Sequence, residues 1–165
     1  AMPLIRIIDQ SKDIEGAVNV LRKSNATVAS DLGFTKETAP SNPAFIDTES
    51  LGRMLSENRT FYVMEQGEEL IGTVAIENSR KEKKTFYIER LAVLPELRHN
   101  GYGKTLMEFA LNKAKEQGGN KVSIGIINEN KKLKNWYISL GFSETGIKKF
   151  SHLPFTVCFL SKELT

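Results

Sequence analysis

Two glycines, an arginine and a lysine stand together where an apolar run gives way to a helix-forming one. In Leu91-Ala92-Val93-Leu94-Pro95-Glu96-Leu97-Arg98-His99-Asn100-Gly101-Tyr102-Gly103-Lys104-Thr105, the opening residues read as the end of a buried strand and Gly103 onward as a helix. The first turn of a helix carries N–H groups without intrahelical acceptors, and the helix dipole adds partial positive charge there. Glycines remove the Cβ atoms that would hold a bulky anion away. Arg98 and Lys104 add full charges, which completes a recipe for a pyrophosphate cradle. Three phosphate-loop patterns compete. A P-loop requires glycine five positions before Gly103-Lys104-Thr105, where this chain has Arg98. A dinucleotide fingerprint G-x-G-x-x-G requires glycine where Leu106 stands. The remaining pattern, R-x-x-G-x-G between a strand and a helix, is met by Arg98, Gly101 and Gly103.

Other residues could carry chemistry near this turn. Glu89 lies in the same apolar run, and a carboxylate there has to be paired or functional. Strict alternation places Tyr87, Glu89, Leu91 and Val93 on one face of a strand and Arg90 on the other, so the neighbouring arginine is no automatic partner. Tyr137, by its surroundings alone, is a half-buried aromatic on a helix that Asn130 can cap. Cys158 lies in a strand-like run where cysteine behaves as a small hydrophobe. One cysteine and two scattered histidines lead to no expected zinc or other metal site.

The elements that must position these groups follow from periodicity and punctuation. A short strand is expected over 4–8. Ser11 can cap a helix with Asp13 and Glu15 in its first turn and Ile14, Ala17, Val18 and Leu21 at helical spacing. Residues 24–47, with Pro40 and Pro43, read as loop and irregular helix at a rim, after which Thr48 can cap a helix bearing Leu51, Met54 and Leu55. The runs 60–65 and 70–78 flank Gln66-Gly67-Glu68-Glu69 as a hairpin. A central strand over 85–94 is closed by Pro95, and a helix over 103–117 with a wide apolar stripe is stopped by Gly118-Gly119. A strand over 121–127, a helix over 131–140 stopped by Gly141, and a hairpin from 143–149 and 154–160 complete the chain. No repeat or linker divides it. The expectation is one α/β (α+β) domain over 1–165, with a mixed sheet of six or seven strands and about four helices.

Composition narrows the class. A chain of 165 residues with 40% hydrophobic and 26% charged residues is ordinary globular protein, which excludes disorder, collagen and disulfide scaffolds. No apolar run approaches the ~20 residues of a membrane span. The start shows no secretory signal, Ala1 before Met2 reads as a cloning remnant, and a single cysteine suits a reducing, cytoplasmic location. A net charge of +3 is too mild to argue for nucleic acid, but its distribution is uneven. Residues 31–78 hold nine acids, Glu57 included, against three bases, whereas residues 98–150 hold ten bases against four acids. Two readings are open: a solvated surface with chance clustering, or a second half that meets a polyanion and a first half that faces something cationic.

The segment "ERLAVLPELRHNGYGKTLM" resembles the GNAT superfamily of acyl-CoA-dependent N-acyltransferases. So does "NKKLKNWYISLGF", in which Asn130, Tyr137 and Gly141-Phe142 match the family's N-x6-Y-x3-GF pattern. The resemblance in element order covers about residues 4 to 160. It implies a GNAT-like fold in which the central strand and its neighbour splay apart. It implies that coenzyme A phosphates meet the backbone of Arg98, His99, Asn100, Gly101, Tyr102, Gly103, Lys104 and Thr105, and that the pantetheine arm runs beside Leu91, Ala92 and Val93. Asn130 would hydrogen-bond that arm. Tyr137 would stand near the thioester sulfur as a proton donor, and Glu89 would take the amine proton, with His152 as an alternative base. The implied reaction is acetyl transfer from acetyl-CoA to a primary amine by direct attack in a ternary complex, with no acyl-Cys158 intermediate. The acceptor, a cationic small molecule or a peptide amine, would lie between residues 22–57 and 143–156, walled by Pro40, Pro43, Phe45 and Ile46. Homodimers are common in the family. Two other readings remain: an acyl-CoA sensor that binds without transfer, and a nucleic-acid module using the basic half, for which no recognition motif is present.

Overall fold

The computed structural model describes residues 2–55 and 58–165; Ala1, Ser56 and Glu57 lie outside the described residues, and the readings of Ala1 and of the Glu57 charge with them. Seven strands form: β1 (Leu4–Ile7), β2 (Arg59–Gln66), β3 (Glu69–Asn78), β4 (Thr85–Val93), β5 (Lys121–Ile127), β6 (Ser143–Lys149) and β7 (Thr156–Glu163). They make one sheet in the order β1-β2-β3-β4-β5-β7-β6. Each neighbouring pair is antiparallel except β4 and β5, which are parallel and therefore need a crossover. The crossover is α3 (Tyr102–Glu116), which buries Leu106, Met107, Ala110 and Ala114 along the expected apolar stripe. The other helices are α1 (Ile14–Asp31), α2 (Thr48–Leu55) and α4 (Lys131–Ser139).

The helices cover opposite faces. Tyr62 of β2 meets Phe109 of α3 edge to face at 4.9 Å, and a Cβ at Gly72 would meet Leu106, so α3 lies on that face. Arg6 pairs in register with Val63, on the other face, and reaches Asp13 at the start of α1. Gly118 leaves α3 with φ 89°, and Gly119 must follow because a Cβ there would lie 2.6 Å from the Phe86 ring and 2.8 Å from the Ala114 carbonyl.

Two features of the sheet position the site. β4 and β5 pair only through Thr85–Lys121, Phe86–Val122 and Tyr87–Ser123; beyond these, residues 88–93 and 124–127 run on without pairing to each other. The expected splay is present. The second feature departs from the sequence reading. Thr73 pairs with Ala92, but Ala75 pairs with Glu89, so Arg90 and Leu91 together oppose Val74 in a β-bulge, with Arg90 at φ 53°. Strict alternation therefore fails: Glu89 keeps the face of Tyr87 and Ala75, whereas Val93 pairs with Gly72 on the α3 face.

Smaller corrections have local causes. Ser11 does not cap α1; it donates from N and Oγ to Asp9 Oδ1, and the helix begins after Asp13, whose carboxylate is held by Arg6 and the Asp9 N–H. α1 runs on to Asp31 through residues expected as loop, because Ala29 is buried against Phe34, Ala39 and Ala44. α2 is capped by Asp47, which accepts from Ser50 N at 2.8 Å, one residue before the expected Thr48. β7 begins at Thr156 and ends at Glu163, later than expected, paired along its length with β5.

Candidate active site

After β4, Leu94 hydrogen-bonds Ile71 and a 3-10 turn over Pro95–Leu97 redirects the chain. His99 (φ 67°) and Gly101 (φ 80°) then take left-handed conformations, and Gly101 is the N-cap of α3 with no side-chain cap. Asn100 Nδ2 pins the loop by donating to the carbonyls of Leu97 and Arg98. The first N–H here to find a backbone acceptor is Thr105, on Gly101 O. Among the described residues no backbone carbonyl accepts from His99, Asn100, Gly101, Tyr102, Gly103 or Lys104. A Cβ added at Gly101 would meet nothing within 4 Å, so the space beside the turn is open there. Gly103 is walled by Trp136 of α4, 3.5 Å from where its Cβ would be. The donor set fits an anion with several acceptor oxygens. The side chains contribute less than the sequence suggested. Arg98 donates to the carbonyl of Ser24 in α1 at 2.7 Å, and exposed Lys104 pairs with Glu108 at 3.9 Å.

Tyr137 stands on α4 and is 6% exposed, its ring packed edge-on against Trp136 and Phe142 at 5.1 and 5.6 Å. No hydrogen bond engages its hydroxyl among the described residues. Burial pushes the phenol well above its ordinary value and keeps it protonated. Asn130 caps α4 by accepting from Leu133 N at 3.3 Å. Lys134, one turn before Tyr137, is fastened to Glu144 of β6 and donates to Asn128 at 3.2 Å, which holds the helix against the sheet.

Glu89 faces away from α3 and is paired. Arg59 Nε donates to Glu89 Oε2 at 3.1 Å and lies 3.3 Å from Glu77 Oε2. Arg59 escaped the sequence reading; its signal was weak, a base in an acidic stretch and thirty positions from its partner. His152 is exposed in the β6–β7 turn beside Phe150, and no hydrogen bond or ion pair ties it to Glu89 or Tyr137. Cys158 is fully buried and donates to Glu144 Oε1 at 3.3 Å; burial, then that carboxylate, raises its pKa away from thiolate.

Phe45, one of the residues expected to wall an acceptor site, lies in a small apolar cluster apart from the main core. Phe34, beyond α1, meets Phe155, before β7, at 5.2 Å, and Ala29, Ala39, Ala44, Phe45 and Ile127 pack around the pair. Ile46 is an exception: it joins the main core with Leu21 and Leu51. A separate acidic cleft of ≈ 470 Å³, lined by Asp13, Glu65, Glu68 and Glu69 among others, contains none of the groups above. Among the described residues no group of His, Cys, Asp and Glu could hold a metal ion, and no helix is long and apolar enough to cross a membrane.

The family model for the acetyltransferase (GNAT) family matches residues 28–142. The chain belongs to this family. This acetyltransferase is 25% identical over 151 residues to an uncharacterized N-acetyltransferase in the pepI 3′ region of Lactobacillus delbrueckii subsp. lactis, covering 84% of each chain. In fold it is similar to the ribosomal-protein-S18-alanine N-acetyltransferase of Escherichia coli, with a TM-score of 0.76, 14% identity, and 99% and 95% of the two chains covered. It is likewise similar to the PaiA N-acetyltransferase of Thermoplasma acidophilum, whose structure is a complex with coenzyme A (TM-score 0.74, 18% identity, 99% of both chains). Membership makes the chain an acyl-CoA-dependent acetyltransferase with acetyl-CoA as co-substrate. The open donors at the glycine turn are chemically suited to it.

Proposed function

We propose that the protein transfers acetyl from acetyl-CoA to a primary amine by direct attack in a ternary complex, and that the acceptor nitrogen arrives as a cation. When bound, acetyl-CoA supplies an acyl thioester whose sulfur can leave as thiolate. The N–H groups of residues 99–104 hold its phosphates. The unpaired edge of β4 at Leu91, Ala92 and Val93 takes an extended ligand arm much as a sheet edge takes another strand. Glu89, oriented by Arg59, accepts one proton of the ammonium and frees the nitrogen lone pair; the N–C bond forms as the C–S bond breaks; the Tyr137 hydroxyl gives its proton to the departing sulfur, and the second proton shed by the acylated nitrogen restores the phenol. Phe34 and Phe155 wall the acceptor side, and the acidic balance of residues 31–78 draws cationic amines toward it.

The observation that carries this reading is the run of unpaired N–H groups at the start of α3, placed where β4 and β5 part. The test is thermal unfolding with and without acetyl-CoA, followed by a thiol-release screen over amines. A rise in midpoint with turnover on at least one amine is the expected result. A rise with no turnover on any amine would identify a binding sensor instead, and no rise at millimolar cofactor would end the reading.

A further inference from the structure

Arg90 carries a charge that no hydrogen bond or ion pair engages among the described residues. The residue is half-buried, and its Nε is the one buried side-chain nitrogen or oxygen among the described residues without a hydrogen-bond partner. No hydrogen bond or ion pair reaches the rest of its guanidinium among those residues. The carboxylate next to it in sequence, Glu89, is taken by Arg59. A buried guanidinium nitrogen without a hydrogen-bond partner is costly for a fold to retain, which makes a ligand the natural source of the missing partner.

The backbone gives the same residue a second irregularity. Arg90 is the left-handed residue of the β4 bulge, held there because Thr73, itself fully buried, donates from Oγ1 to its carbonyl at 2.7 Å. Bulges re-aim side chains and gather beside active sites. This one lies just past Tyr87–Ser123, the last β4–β5 pair, with Glu89 before it and Leu91 after it. Backbone strain and unpaired charge at one position mark a functional constraint better than either alone. Burial and the nearby charge of Arg59 pull the guanidinium below its ordinary value, against Glu89.

Resting on the acetyl-transfer reading above, we propose that Arg90 receives a carboxylate of the acceptor, so that the substrates are amines that also bear a carboxylate, amino-acid-like molecules rather than polyamines or amino sugars. A planar guanidinium binds a planar carboxylate through paired hydrogen bonds, a geometry a bare ammonium does not offer.

The experiment compares matched pairs at saturating acetyl-CoA: L-leucine with 3-methylbutylamine, L-phenylalanine with phenethylamine, L-lysine with cadaverine. In each reacting pair the carboxylate-bearing member should show kcat/KM at least about tenfold higher. Arg90→Gln should erase the difference and leave KM for acetyl-CoA unchanged, and Arg90→Lys should keep part of it. Equal or reversed preference in the unaltered protein overturns the proposal, and that comparison needs no variant to fold. So does a preference that survives Arg90→Gln in a variant still stabilised by acetyl-CoA. If no pair reacts, the broader amine screen still decides the acetyl-transfer reading, and calorimetry of the same pairs with coenzyme A decides the role of Arg90: tighter binding of the carboxylate member upholds it, equal binding overturns it.

Discussion

Tyr137 meets two conditions for giving a proton to sulfur: burial keeps its phenol protonated, and no hydrogen bond engages its hydroxyl among the described residues. Tyr137→Phe should therefore lower kcat about a hundredfold with little change in KM for acetyl-CoA, read from initial rates. An unchanged kcat would remove the role. Glu89→Gln should move the rate optimum to higher pH, because the amine must then lose its proton to solvent before attack; a profile identical to the unaltered protein's would reassign Glu89 to structure alone. Asp13 offers a pH test of stability. The hydrogen bond from Arg6, and less so the Asp9 N–H, holds its carboxyl below the usual range against its burial. A depressed folded value means the contribution is complete above the unfolded value of about 4 and disappears as pH falls through the folded one. Asp13→Asn should cost about 2 kcal/mol at neutral pH, with the gap to the unaltered protein closing in acid, as measured by denaturant midpoints.

At the scale of elements, the glycine turn, its strand and its helix were legible because their signals are local: an apolar run, a proline, two glycines and a stripe at helical spacing. The β4 bulge was not, since it is set by Thr73 on another strand and by register with β3, neither visible within 85–94. The Arg59–Glu89 pair was hidden for the same reason. The length of α1 was underestimated because weak periodicity after residue 24 is offset by packing of Ala29 against the loop that follows. Two glycine substitutions separate positional roles. Gly101→Val places a branched side chain at φ 80° in open space, costing roughly 1–2 kcal/mol of stability, and it should weaken acetyl-CoA binding more than that strain explains, by calorimetry on the folded variant. Gly119→Ala, with no room beside Phe86, should destabilise by about 1–3 kcal/mol and leave acetyl-CoA affinity in the folded fraction unchanged.

For the whole molecule, the division of charge has an observable effect. The basic second half carries the turn that receives a polyanion, so KM for acetyl-CoA should rise between low salt and about 0.5 M salt while kcat changes less. Saturation with acetyl-CoA at 100 times its Kd should add ~2.7 kcal/mol to stability. The interior also settles a practical matter. The lone sulfhydryl, Cys158, is sealed between β5 and β6 and hydrogen-bonded to a carboxylate, so the native enzyme should give no colour with an aromatic disulfide reagent and one equivalent once denatured. Every mole of chromophore released during turnover then reports product, with no background from the catalyst itself.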